Sequence, residues 1–325
     1  CLSSTNTPDI PGLSSFSGPV HHTGQWPHEE VDFSGQRVGI IGTGSSGIQA
    51  IPVIAETAKQ LTVFQRTANY SVPARNRPMD DAYERQIKSD YAGFRARNNQ
   101  MPNGFGSNNP RGDKSALEVP PEERSASYEQ RWELGGLFFM AAFNDLIFNQ
   151  EANDTAADFV RQKIAETVHD PETAQLLQPT QTIGCKRICI DTNYFETYNK
   201  PNVNLVDISK TGIDSIKPNG LQAGANFYEL DMLILATGFD AMTGTLIKMN
   251  ITGRDGLTLG EKWAAGPRNY LGLTTNGFPN MFIVTGPGSP SVLTNMQVAI
   301  HQHVNWISDC LVYMRQQGHS LIEPK

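Results

Sequence analysis

An α/β fold organised around a parallel sheet is what this sequence predicts, and three neighbouring stretches carry the prediction. RVGIIGTG at 37–44 is a short apolar, β-branched run that ends in glycines. SSGIQAIPVIAETAKQ at 45–60 follows at once with apolar residues at helical spacing, and LTVFQRT at 61–67 is a second short apolar run. Strand, helix and strand in so little chain make a crossover unit, which joins parallel strands. Pro52 falls inside the helical run, where it removes a hydrogen bond and can kink the first turns without ending the helix.

The remaining elements follow in order. Residues 1–29 are rich in Ser, Pro, Gly and His without helical periodicity and read as an extended connector. From about 69 to 187 the chain is charged and amide-rich, with apolar residues at helical intervals, which predicts a helical insertion. VNLVDI at 203–208 and YELDMLILATG at 228–238, separated by the turn KPNG at 217–220, read as strands that rejoin the sheet. NMFIVTGPGSPS at 280–291 reads as a strand entering a loop, and 294–318 as a long amphipathic helix. At 325 residues the chain exceeds the roughly 250–300 at which one core stops growing, so two domains are expected.

Composition narrows the function. A net charge of −7 argues against a nucleic-acid or anionic-membrane surface, which needs clustered Lys and Arg, and favours small-molecule partners. Cys1, Cys185, Cys189 and Cys310 are too few and too irregularly placed for a disulfide framework, which points to a reducing, cytoplasmic compartment. The longest apolar stretch, LGGLFFMAAF at 134–143, is about half of the ~20 residues a membrane helix needs. The first residues, CLSSTNTPDIPG, resemble neither a signal peptide nor a natural start, so a fragment of a longer chain is expected.

The chemistry lies in a few motifs. Gly42-Thr43-Gly44-Ser45-Ser46-Gly47 directly follows a strand and opens a helix, the context of a Rossmann-like dinucleotide turn. Its glycines permit a tight turn and close backbone approach, and the helix N-terminus faces a pyrophosphate. An acid at the end of the next strand would bind a ribose 2′-hydroxyl and select NAD. Arg66 and Thr67 stand there instead, and suit the 2′-phosphate of NADP(H). Ala236-Thr237-Gly238 ends a buried-looking strand, either to let backbone pass a flat group or as an ordinary turn. Gly286, Gly288, Ser289 and Ser291 precede a helix whose amides could face an anion such as a flavin edge, or could simply be capped.

CKRIC sets Lys186 beside Arg187 among apolar neighbours, where paired cations imply something anionic opposite. Its cysteine spacing is not that of a redox CxxC pair. His301 and His303 are one residue apart and cannot share a helix face for a metal, so these and His169 and His319 read as structural or solvated. None of the nine tyrosines is followed four residues later by Lys, which weakens a plain short-chain dehydrogenase reading.

Phe16-x-Gly18-x-x-x-His22-x-x-x-Trp26-Pro27 ahead of the glycine turn resembles the fingerprint of the Baeyer-Villiger monooxygenases. The stretches VFQRTANYSVPARN, LATGFDA, EKWAAGPRNYLGL and GPGSPSVLTNM extend the resemblance over essentially the whole chain, toward the branch of phenylacetone and cyclohexanone monooxygenases. The resemblance implies a two-dinucleotide-binding-domain flavoprotein fold that uses FAD, NADPH and O2 to turn a ketone into an ester or lactone through a C4a-peroxyflavin. It implies that Gly42 to Gly47 seat the NADPH pyrophosphate, and that Arg66, Thr67 and Lys186 surround the 2′-phosphate. Arg187 becomes the active-site arginine, steadying negative charge during oxygen insertion. Ala236, Thr237, Gly238 and Met296 fall near the cofactors, and Ser291, Val292 and Leu293 line the substrate. His22 and Trp26 hold a hinge between domains and perform no chemistry.

The same resemblance sets the expected boundaries: a connector at 1–29, an NADP domain from 30–68 and 188–238, a helical insertion at 69–187, and the second part of an FAD domain at 239–325. The family's earlier glycine motif and its C-terminal segment have no counterpart in this sequence. Two rival readings fit the same residues, an N- or S-oxygenating flavin monooxygenase and a non-catalytic NADP-binding module. The Lys186-Arg187 pair and the Trp26-Pro27 ending favour the ketone reading over the first, and bound flavin would exclude the second.

Overall fold

A computed structural model describes residues 3–101, 103–105, 111–289 and 294–325. The chain divides into two compact units, one of Thr5–Arg77 and Asn109–Gly238, the other of Cys1–Ser4, Pro78–Asn108 and Phe239–Lys325.

The first unit is built on a five-stranded parallel sheet of Val20–His22 (β1), Arg37–Ile41 (β2), Gln60–Gln65 (β3), Val203–Asp207 (β6) and Met232–Leu235 (β10), in the order β1-β10-β2-β3-β6. A short parallel pair, Ser71–Pro73 (β4) with Cys189–Asp191 (β5), and an antiparallel ribbon of Ser215–Lys217 (β7), Gly220–Ala223 (β8) and Asn226–Glu229 (β9) complete it. Strands β2, β3 and β10 are apolar almost throughout because both faces are covered: Val38, Ile40, Leu61, Val63, Leu233 and Ile234 have no exposed surface. The helix Ser45–Thr57 (α1) lays Gly47, Ile48, Ile51, Ile54 and Ala55 on the sheet, one stripe at 3.6-residue spacing. Each buried isoleucine contributes about 1.5–3 kcal/mol through removal from water. Pro52 lies in the interior of α1, which continues past it to Thr57.

The helical stretch between β4 and β5 is tied down by one fully used amide. Asn153 is 2% exposed; its Nδ2 donates to Leu146 O and Ile183 O at 2.8 Å each, and its Oδ1 accepts from Ile183 N–H at 3.1 Å. Ile183 leads into the Lys186-Arg187 segment, so this bond anchors one wall of the site described below.

In the second unit the helix Met296–Gln316 is capped by Asn295, whose side chain accepts from Gln297 N–H. A small core of Leu259, Trp263, Phe278 and Ile283 packs separately. The helix buries Ala299, His303 and Met314 and leaves Val304, Leu311, Val312 and Tyr313 about half exposed. No helix among the described residues is long and apolar enough to cross a membrane.

Two expectations are corrected. The single strand over 228–238 breaks at Leu230-Asp231, because Asp231 binds Arg37 through both carboxylate oxygens while Tyr228 pairs with Leu221 in the ribbon. The strand expected at 280–285 is a set of turns. Asn280 and Thr285 have φ of 59° and 51°, and Ile283 N–H and Gly286 N–H donate to Leu273 O and Gly272 O instead of to a neighbouring strand. The connector contains a real strand, β1, whose His22 pairs with Leu235. The residues expected as one helical insertion fall in both units, Pro78–Asn108 in the second and the rest in the first.

Candidate functional site

From β2 the chain runs outward to β3 and then β6, and it returns across the sheet to place β10 on the other flank of β2. Strand order therefore reverses between β2 and β10, and a crevice opens at their carboxyl ends, where doubly wound sheets bind ligands. The two strand ends meet closely. Gly42 has φ 105°, and a Cβ there would lie 2.6 Å from Ala236 O. At Gly47 a Cβ would lie 2.3 Å from Gly42 O, so the turn needs these two glycines for its own folding. Gly44 differs: it is extended, at φ −81° and ψ −174°, and a Cβ on it meets nothing within 4 Å. Its missing side chain leaves room for something outside the chain.

That room is a cleft of about 460 Å³ lined by Gly42, Thr43 and Gly44 on the turn, Arg66, Thr67 and Asn69 after β3, Lys186, and Ala236 and Thr237 after β10. Asn69, a residue no sequence motif singles out, donates from Nδ2 to Thr43 O at 2.7 Å, and Thr43 Oγ1 donates to Thr67 O at 3.0 Å. These bonds stitch the glycine turn to the Arg66 segment. Arg66 and Lys186 are exposed and have no ion-pair partner among the described residues, unlike Arg37, which Asp231 and Glu229 neutralise. Two unneutralised cations, a hydroxyl and an open glycine at the start of a 13-residue helix suit a dinucleotide carrying a 2′-phosphate. The predicted residues Gly42, Thr43, Gly44, Arg66, Thr67, Lys186, Ala236 and Thr237 thus come together in one place.

The fingerprint residues brace the same sheet, and His22 reaches the carboxyl end of β10. Gly18 is required because a Cβ would lie 2.0 Å from Asp231 O. Phe16 packs on the cluster around Leu221 and Leu233. His22 is 6% exposed; its Nδ1 accepts from Gly24 N–H at 2.9 Å, which leaves Nε2 to donate to Thr237 Oγ1 at 3.2 Å. Trp26 lies 5.6 Å from the His21 ring and 6.3 Å from Phe33, followed by Pro27.

Other predicted residues lie apart. Ser45 and Ser46 open α1, and Ser46 lines a separate groove with Trp26 and Val53. Gly238 turns at φ 79° just beyond the cleft. Arg187 is exposed, is not among the cleft-lining residues, and has no ion-pair partner among the described residues. Its charge offsets only part of what burial does to Cys189, whose thiol is pushed up to about 11 and stays inert. Met296 is the first residue of its helix in the second unit. In that unit Ser289 Oγ is buried without a hydrogen-bond partner, on the loop expected to face a flavin. Ser291, Val292 and Leu293 lie outside the described residues.

No protein-family model matches the chain. It is 42% identical over 325 residues to the cyclohexanone 1,2-monooxygenase of Acinetobacter sp, covering 99% of this chain and 59% of the relative. A Baeyer-Villiger monooxygenase of Pseudooceanicola batsensis is 42% identical over 329 residues, with the same coverage of 99% and 59%. Among solved structures, an oxidised steroid monooxygenase bound to NADP matches with a TM-score of 0.93 at 53% identity, covering 100% of this chain and 62% of that one. The complex of OTEMO with FAD and NADP matches with a TM-score of 0.96 at 39% identity, covering 100% and 61%. The chain thus spans about three fifths of the length of the relatives it matches.

Proposed function

We propose, from the kinship of this chain with the Baeyer-Villiger monooxygenases, that it carries the NADPH-binding part of an FAD-dependent enzyme that inserts one oxygen atom of O2 beside a ketone carbonyl, giving an ester or lactone. The observation that carries the reading is the cleft at Gly44: a glycine that its own chain does not require, beside Arg66 and Lys186 with no ion-pair partner among the described residues. When bound, NADPH supplies a hydride and FAD the means to activate oxygen. Gly42 to Gly47 would seat the pyrophosphate, and Arg66, Thr67 and Lys186 the 2′-phosphate. Arg187 would hold a fixed positive charge against the carbonyl oxygen as that carbon becomes tetrahedral, and a guanidinium cannot lose the charge by titration. Ala236, Thr237, Gly238 and Met296 would face the cofactors, with Ser291, Val292 and Leu293 on the substrate side. The free thiols of Cys185, Cys189 and Cys310 support action in the reducing cytoplasm.

The test adds NADPH without air to the purified full-length protein, then admits air and a ketone. Loss of the yellow flavin band followed by ester formation supports the reading. A colourless protein, or oxidation confined to amines and sulfides, rejects it.

A further inference from the structure

We infer that Asp191, acting through Ser71, is a positioning residue that holds the two cation-bearing walls of the cleft together and so sets its preference for a 2′-phosphate. The inference rests on the cleft being the NADP site. Its starting point is a buried polar pair with no place in the chemistry so far. Ser71 has no exposed surface and Asp191 is 6% exposed, and Ser71 Oγ donates to Asp191 Oδ2 at 2.5 Å. Tyr194 N–H donates to the other oxygen, Oδ1, at 3.1 Å, so both carboxylate oxygens are held.

The pair joins the segments that deliver the cations. Arg66 precedes Ser71 on the chain leaving β3, and Lys186 precedes Asp191 on the chain entering β5, by five residues in each case. Between them β4 and β5 form a parallel ladder of three residue pairs, Ser71 with Cys189 to Pro73 with Asp191. A two-stranded ladder this short is not stable alone. Cys189 N–H donates to Tyr70 O at 2.9 Å and Ala74 N–H to Asp191 O at 2.7 Å. Nearer the cleft, Tyr70 Oη donates to Gln181 O and Gln181 Nε2 to Ala68 O, both at 2.9 Å. In this strip Ser71–Asp191 is a charge-assisted bond between the two strands, the kind about twice as strong as a neutral one. It spans the ladder diagonally, with both side chains on one face, and so opposes sliding of one wall past the other.

The test uses calorimetric titration of the full-length protein with adenosine 2′,5′-bisphosphate and with AMP. The expected result is that the wild type prefers the bisphosphate, and that Asp191→Asn lowers affinity for it by about tenfold while AMP binding stays unchanged. Ser71→Ala should act in the same direction, and it keeps the inference testable if Asp191→Asn does not fold. In a Lys186→Ala background, Asp191→Asn should cause little further loss, because the wall it positions no longer carries its cation. Equal losses for both ligands, or an intact preference in folded variants, would overturn the inference and leave the cleft reading standing. A wild type without preference for the bisphosphate would overturn the cleft reading itself.

Discussion

His22 Nε2 lies 3.2 Å from Thr237 Oγ1, and Thr237 Oγ1 in turn donates to Asn6 O at 2.6 Å. Since Gly24 N–H occupies Nδ1, both ring nitrogens are engaged. The ring locks the edge strand β1 to the end of β10, beside the cleft, and is not free to move protons. His22→Ala should therefore cost about 1–3 kcal/mol of stability by leaving buried partners unpaired, measured by urea unfolding. Full stability with oxygenation lost would instead mean a chemical role.

The three glycines of the turn should separate folding from binding. A Cβ at Gly42 or Gly47 meets carbonyl oxygen at 2.6 and 2.3 Å, whereas one at Gly44 meets nothing. Gly42→Ala and Gly47→Ala should lower the melting temperature. Gly44→Ala should leave it unchanged and weaken NADP+ binding by at least about tenfold, since the methyl would fill the space proposed for the pyrophosphate. Unweakened binding would remove the pyrophosphate from this turn.

Arg66 lines the cleft with no ion-pair partner among the described residues. A charge-assisted bond to phosphate is worth roughly 1.5–3 kcal/mol, so Arg66→Ala should lower kcat/KM for NADPH by about 10- to 100-fold with little change for NADH. An equal loss with both would show that Arg66 does not read the 2′-phosphate.

His303, 6% exposed, accepts from Thr285 N–H through Nδ1 at 2.9 Å, and burial holds its pKa below the ordinary imidazole value. Below pH of about 6.5 the unfolded chain therefore takes up a proton that the folded one resists, so stability should fall as pH drops through this range and level off above it. His303→Gln should flatten that slope in melting curves taken across acid pH. An unchanged slope would assign the acid sensitivity to other groups.

Much of this was legible in the sequence because local pattern and tertiary role agree. RVGII, the glycine turn and α1 declare themselves by periodicity and by residues that only one backbone path tolerates. The break at Asp231 was not legible, since it depends on Arg37, which is adjacent only in the folded sheet. The loss of a strand at 280–285 likewise follows from two left-handed residues, Asn280 and Thr285, neither of them glycine. Asn69, Asn153 and the Ser71–Asp191 pair escaped notice for the same reason. Single polar residues have no period, and their partners lie far away in sequence.

We propose that this chain serves ketone oxygenation driven by NADPH. The most direct measurement incubates the full-length protein with NADPH, a ketone such as cyclohexanone and isotopically heavy O2, and weighs the product by mass spectrometry. The expected product is the lactone bearing a single heavy oxygen, formed with NADPH far faster than with NADH. A lactone without the heavy atom, or NADPH consumed across a panel of ketones with no ester or lactone formed, would contradict it.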